Sequence, residues 1–397
     1  MRYVGIDIAS EVHVFAAVDE RGETLLEPAS FGEDHAGYEK LRAALGPPEG
    51  TVIALEATGH YWENLVATLA AEGFAIALLN PLRTRRFAGE DLARTKTDAI
   101  DALAIARFAA QKRPPSTRLP DPATQELREL VRLRQRLRED FDDRVRRLHR
   151  LVDLSFPELT RRVRTLDSEL AIALLRDYPT AQAFAQTSPR RLAKLCYDGR
   201  HNVGDELATW LIETAKVSVG RHPGLPYRMG VRYACEDLDL LRRRLRDMDQ
   251  DIHALLEQHE VGRLLTTIDG IGPTTAACLI AELGDPANFR DAAALASYVG
   301  VVPGLRQSGK QRPTRAGLSP LGNARLRAAL WMPTLTAVRR NPWLKAYYER
   351  LRARGKLPKV ALVAAMRKLL AAVHSVARHR RPFVPHLAVP LAAGAAT

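Results

Sequence analysis

Residues 3–18 read YVGIDIASEVHVFAAV, and this stretch decides the fold of the front of the chain. Two apolar, β-branched runs, 3–8 and 12–18, flank a tight turn at Ala9–Glu11, the pattern of a strand pair. The runs 52–55 (VIAL) and 74–79 (FAIALL) add two strands, with helix-like stretches near 34–45 and 60–72 between them. A strand pair followed by strand, helix and strand predicts an α/β unit, a mixed sheet carrying packed helices and ending near Lys112.

Acidic residues interrupt this apolar pattern. Asp7 sits inside the first strand and Glu56 ends another, in VIALEATGHYWENL, where a carboxylate costs desolvation unless it is paired or binds metal. Asp98 and Asp101, in TKTDAIDALAIA, stand three apart, so on a helix both project from one face. Four such carboxylates at one sheet edge would offer hard oxygen donors to Mg²⁺ or Mn²⁺, the ions suited to phosphodiester cleavage. The plainer alternative is that Asp98 and Asp101 cap or solvate a helix. His60, four residues after Glu56, is a candidate substrate contact.

RPPSTRLPDP (113–122) opens a linker over 113–124. Beyond it the period changes. Leu130, Leu133, Leu137, Phe141, Val145, Leu148 and Val152 mark a long amphipathic helix, and Leu238, Leu241, Leu245, Met248, Ile252 and Leu255 alternate three and four as a coiled-coil seam does. The two predict a coiled-coil arm over 125–259, with a small helical insertion near 157–230; a common helical core is the alternative. A mostly helical domain over 260–385 and a tail over 386–397 complete the chain.

The composition is that of an ordinary globular protein, 46% hydrophobic and 26% charged, with a net charge of +13 that favours a polyanionic partner. The excess is localised. Residues 290–397 carry 20 Lys or Arg against Asp291 and Glu349, a block of +18, whereas 1–289 hold 39 basic and 44 acidic residues, −5. Cys196, Cys235 and Cys278 are too few and too dispersed for a disulfide framework or a Cys zinc site. No run reaches the roughly 18 unbroken apolar residues of a bilayer span, so a cytoplasmic protein without membrane is expected.

Two motifs lie in or beside the basic block. Gly270 and Gly272, in TIDGIGPTT, resemble a helix–hairpin–helix turn whose backbone N–H groups bind DNA phosphate; a plain glycine turn with Pro at the first helical position is the alternative. In PGLRQSGKQRPTRAGLSPLGNARLR, Ser308 is surrounded by Arg306, Lys310, Arg312 and Arg315. A serine attacking phosphorus needs such cations to stabilise the transition state, though an isolated loop serine is usually only solvated. Ser297, in ALASYVG, reads as core. Trp331, Trp343, Tyr347 and Tyr348 interleave with Arg and Lys and suit either base stacking or helix core.

In this order VGIDIAS, ALEATGHYW, TKTDAIDALAIA and the block from TIDGIGPTT to LRQSGK resemble the DEDD transposases of the insertion sequence 110 family, which includes Piv-type DNA invertases, over nearly the whole chain. The resemblance implies a RuvC-like RNase H fold for 1–112, Mg²⁺ (or Mn²⁺) held by Asp7, Glu56, Asp98 and Asp101, and a 5′-phosphoserine link through Ser308. It further implies donor and target double-stranded DNA, a structured non-coding bridge RNA as guide, a homodimer or homotetramer whose catalytic sets meet between protomers, and a nucleoid-associated place in the cytoplasm. LRQSGK departs from relatives with two Ser or Ser-Thr before Gly, which keeps Ser297 as the alternative nucleophile. Three competing functions are a RuvC-like junction nuclease using the carboxylates alone, an actin-like or sugar-kinase ATPase suggested by GIDIAS and DGIG, and a non-catalytic nucleic-acid binder. The +18 block argues against a small-molecule kinase.

Overall fold

The computed structural model describes residues 1–57, 59–81, 84, 87, 97–306, 314–318 and 321–385, with backbone only for 305–306 and 314–318. The chain divides into two compact units, Met1–Leu119 and Pro120–Thr397.

The first unit is built on a five-stranded mixed sheet in the order β3-β2-β1-β4-β5. Strands β1 (Arg2–Asp7), β2 (Val12–Val18) and β3 (Thr24–Gly32) form an antiparallel meander. Helix α1 (His35–Leu45) then leads to β4 (Thr51–Glu56), parallel to β1, and α2 (Glu63–Ala71) leads to β5 (Ala75–Leu79), parallel to β4. Alternation along β1 assigns its faces: Val4 and Ile6 pack with Leu41 and Leu45 of α1 and Leu65 and Leu69 of α2, whereas Tyr3 belongs to the opposite cluster with Ile105, Ala106 and Ala109. Those last residues lie on α3 (Asp98–Lys112).

Strand β3 is absent from the sequence expectation, which counts four strands. It contains Pro28 and exposed polar positions, features that hide a strand from pattern reading. It survives as an edge strand because Glu27 and Pro28 fall where Ala17 pairs with Leu26 and Phe15 with Ala29, an irregularity that relieves the proline of ladder bonding. The front of the Pro-rich stretch after α3 is anchored: Thr117 donates its N–H to Ile76 (2.6 Å) and its hydroxyl oxygen accepts from Leu78 N–H (2.9 Å) along β5.

The second unit is helical. Helices α4 (Pro122–Ser155) and α5 (Leu225–Gln258) are 34 residues each and run antiparallel, as the contacts Thr124–His259 (3.3 Å), Arg134–Asp249 (2.6 Å) and Arg144–Asp237 (2.7 Å) show. Leu238, Leu241, Leu245, Met248 and Ile252 of the expected seam are all buried, although Leu133 on the other stripe is 46% exposed. Short helices between 157 and 216 pack on the far ends of this pair around Phe156, Phe184 and Leu211.

At the near end α6 (Pro273–Leu283), α7 (Ala292–Val299), α8 (Pro342–Ala353) and α9 (Pro358–His379) surround a second core, and the hairpin β6 (Pro303–Arg306) with β7 (Thr314–Leu318) follows α7. By length and composition α9 could cross a membrane, but Ala361, Ala365, Leu369, Val373 and Ala377 are fully buried in that core.

Candidate active site

Asp7 and Glu56 end adjacent parallel strands, one residue past the paired positions Ile6 and Leu55. Both are half-buried, and the buried Thr84 hydroxyl donates to the Glu56 carboxylate. Ends of parallel strands are where open α/β sheets bind ligands.

Helix α3 brings the other two carboxylates toward this edge. A Cβ on Gly5 would collide with the backbone of Ala102 and Ala106, so small residues let α3 cross β1 in near-contact. The far end of α3 lies at the start of the strand, where Arg113 and the Met1 amino group share Glu20 at 3.8 and 2.8 Å. The helix therefore runs opposite to β1, and its first turn, with exposed Asp98 and half-buried Asp101, lies toward Asp7. Thr97 caps it, its hydroxyl accepting from Ile100 N–H at 3.3 Å, so neither aspartate is the cap. The donor set suits a hard divalent ion. The geometry stops short of a coordination shell, since among the described residues no three His, Cys, Asp or Glu side chains group closely enough to hold a metal.

A polar network behind the edge escaped the sequence reading. His13 on β2 is fully buried; its Nδ1 accepts from Ala9 N–H at 3.2 Å, and its Nε2 contacts Glu33 Oε2 at 2.7 Å. An accepting Nδ1 assigns the proton to Nε2, which donates to Glu33. Tyr38 OH (2.8 Å) and Asn64 Nδ2 (3.2 Å) also donate to that carboxylate. Burial works against the charge on Glu33, but these hydrogen bonds, His13 first, outweigh it and hold the carboxyl below its ordinary range. Burial and the charge of Glu33 push the Tyr38 phenol upward. A histidine in an apolar strand carries no spacing signal, which is why it went unseen.

In the second unit Ser308, Lys310 and Arg312 lie outside the described residues, between two strands whose pairing ends at Arg306 and Thr314. Arg306 and Arg315 are strand positions, Arg315 opposite Leu305. The foot of this hairpin is fastened by groups that sequence did not single out. Gly300 (φ 82°) and Gly322 (φ 116°) touch backbone to backbone, Asn323 N–H donates to the Tyr298 carbonyl at 2.9 Å, and Asn323 Nδ2 donates to Glu282 at 2.8 Å. Ser297 is exposed on α7, contrary to its reading as core, because Leu295, Ala296 and Val299 take the inward face.

Gly270 (φ 103°) packs against Ala337, where a side chain would clash, and Gly272 precedes Pro273 at the start of α6 with open space around it. Trp331, Trp343, Tyr347 and Tyr348 pack on the second core, with Lys368 Nζ 4.4 and 4.5 Å from the ring centres of Trp343 and Tyr347. Burial raises the Cys235 thiol to about 12 and the Cys278 thiol to about 11, so neither is a nucleophile at neutral pH.

Comparison with known proteins matches two family models. Residues 4–157 match a DEDD-type IS110 transposase model, described as a transposase, and residues 262–349 match one described as the transposase IS116/IS110/IS902 family. The chain is 30% identical to an insertion element IS116 protein of Streptomyces clavuligerus, covering 96% of both chains. It is 28% identical to an IS110 protein of Streptomyces coelicolor over 95% of this chain and 94% of the relative. A pilin gene-inverting protein of Moraxella bovis is 25% identical over 96% and 97%.

Proposed function

The chain belongs to the IS110 family of transposases, a DNA transposase or recombinase with DNA as its partner, and from that membership we propose how its two units divide the chemistry. The first unit is a RuvC-like RNase H domain whose Asp7, Glu56, Asp98 and Asp101 hold Mg²⁺, or Mn²⁺ in its place. When bound, the ion supplies Lewis-acid stabilisation of the attacking and leaving oxygens. The observation that carries this reading is the common edge: two carboxylates end neighbouring parallel strands and two more open a helix running toward them.

Ser308 is the nucleophile. Its Oγ attacks the scissile phosphorus as its proton is removed, the bond from phosphorus to the 3′-oxygen breaks, and the departing 3′-oxygen takes up a proton. The product is a 5′-phosphoserine ester. Arg306, Lys310, Arg312 and Arg315 offset the charge that gathers on the phosphoryl oxygens. Attack by another strand's 3′-hydroxyl reverses the step and rejoins DNA without ATP, because the ester conserves the phosphodiester bond energy. The Gly270–Gly272 turn contacts backbone phosphate. Helices α4 and α5 act as a coiled-coil arm in a homodimer or homotetramer, where carboxylates of one protomer meet the serine of another. A structured bridge RNA selects target and donor by base pairing, while the protein reads backbone and shape. The protein works at the nucleoid, in the cytoplasm.

Incubation with donor and target DNA and the guide RNA, followed by denaturing electrophoresis, tests the scheme. A protein–DNA adduct lost in Ser308→Ala and kept in Ser297→Ala is expected. Recombination by Ser308→Ala would refute the serine mechanism and leave a metal-dependent nuclease.

A further inference from the structure

The connection from β4 to α2 leaves the strand at Glu56 and so begins at the carboxylate edge. In it the rings of His60 and Tyr61 lie against each other in a tilted arrangement, with centres 4.3 Å apart and planes at 36°. Both side chains face solvent, Tyr61 being 41% exposed. The turn that displays them is closed. Gly59 takes φ 60°, the Trp62 indole N–H donates to the Gly59 carbonyl at 3.2 Å, and Glu63 N–H donates to the His60 carbonyl at 3.1 Å. Asn64, in the first turn of α2, donates to Glu33, the carboxylate that also accepts the hydrogen bond from His13 Nε2–H, and His13 in turn accepts from Ala9 just beyond Asp7. One hydrogen-bonded chain thus joins the aromatic turn to the Asp7 turn.

Charge decides which part of a nucleic acid these rings can meet. Residues 7–11 and 56–64 contain Asp7, Glu11, Glu56 and Glu63 and neither Lys nor Arg, so these two segments offer phosphate groups no cation. A stacked base is a charge-neutral grip, and every base has a π face to offer. The faces of paired bases are covered by their neighbours in a duplex, so a base that stacks here has left its stack.

We infer that His60 and Tyr61 form a stacking platform for an unpaired nucleobase of the DNA strand at the carboxylate edge. This deepens the function proposed above and rests on it. The platform holds the nucleotide beside the reacting phosphate where these two segments supply no cation to do so, and it accepts any base.

A short single-stranded oligodeoxynucleotide carrying 2-aminopurine tests the platform, because stacking on an aromatic ring quenches its fluorescence. Full-length protein is expected to bind and quench. Tyr61→Ala is expected to bind about five- to hundred-fold more weakly with quenching lost, and Tyr61→Phe to retain both. Thermal unfolding of the parent and Tyr61→Ala should coincide, since the ring is exposed. Unchanged affinity and quenching in Tyr61→Ala and His60→Ala would overturn the platform and leave the DNA function standing. A parent that binds duplex but no single strand would overturn the platform as well; one that binds no DNA in any form would overturn the underlying function with it.

Discussion

Gly5 of β1 lies against the backbone of Ala102 in α3, closer than any side chain would allow. This contact lets the helix cross the strand and carries Asp98 and Asp101 toward the end where Asp7 stands. Gly5→Ala must therefore push α3 away or distort β1. We expect a destabilisation of roughly 1–3 kcal/mol, the range for overpacking, measured by denaturant unfolding. Strand cleavage should fall further than stability does, because the carboxylates separate. A Gly5→Ala protein with parental stability and cleavage would remove this contact from the account.

His13 and Glu33 hold the turn after Asp7. Removing the imidazole leaves the Ala9 N–H and one side of Glu33 without their partner, so His13→Ala should cost roughly 1–3 kcal/mol. Hydrogen–deuterium exchange should show faster exchange at Ala9; unchanged protection there would count against the role.

The depressed Glu33 titration has a sign. A carboxyl held below its unfolded value binds fewer protons folded than unfolded, so its contribution is present above the unfolded value and disappears as pH falls through the folded one. Stability of the first unit should therefore decline as pH drops below about 4, and Glu33→Gln should flatten that part of the profile. Parallel acid-unfolding curves for the parent and Glu33→Gln would contradict it.

The carboxylates and the serine should act as one unit in recombination. Asp7→Asn, Glu56→Gln and Ser308→Ala should each reduce recombination on the order of 10³-fold or more while DNA binding persists. Combining two of them should add little, since residues that act as a unit are not additive. Retained recombination in the carboxylate variants would point to a purely nucleic-acid-binding protein.

At the foot of the serine hairpin, Gly322→Ala places a side chain against Gly300 at a φ of 116°. Serine–DNA adduct and recombination should both be lost while DNA binding persists. Adduct formed at the parental level would mean that the foot of the hairpin does not hold the serine in place.

The +18 block should set the salt dependence of DNA binding. Each phosphate neutralised contributes about 0.9 to the log–log slope on duplex, so Arg315→Ala should lower the slope by about one. A slope unchanged by that substitution would place Arg315 away from the backbone.

Much of this was legible in residue order because its signals are local. Val4 and Ile6 alternate with Tyr3, and both β-strand periodicity and the two-faced sheet follow from that. Leu238 to Ile252 recur every three or four residues and are buried together. Reading failed where a neighbour distant in sequence decides the outcome. Pro28 hides β3 until β2 supplies the irregular register that tolerates it, and Ser297 looks like core until its helix turns Leu295, Ala296 and Val299 inward.

The sequence by itself determined the strand and helix periods, the separation of an acidic front from a basic end, and the motifs that mark the family, since each depends on composition or spacing along the chain. Only the tertiary structure decided that Asp7 and Glu56 end neighbouring parallel strands, that α3 runs back along β1 across Gly5, and that His13 ties Ala9 to Glu33. Strand order, helix direction and buried hydrogen bonds join residues 20 to 100 positions apart, and spacing along a chain does not encode which distant neighbour a side chain will meet.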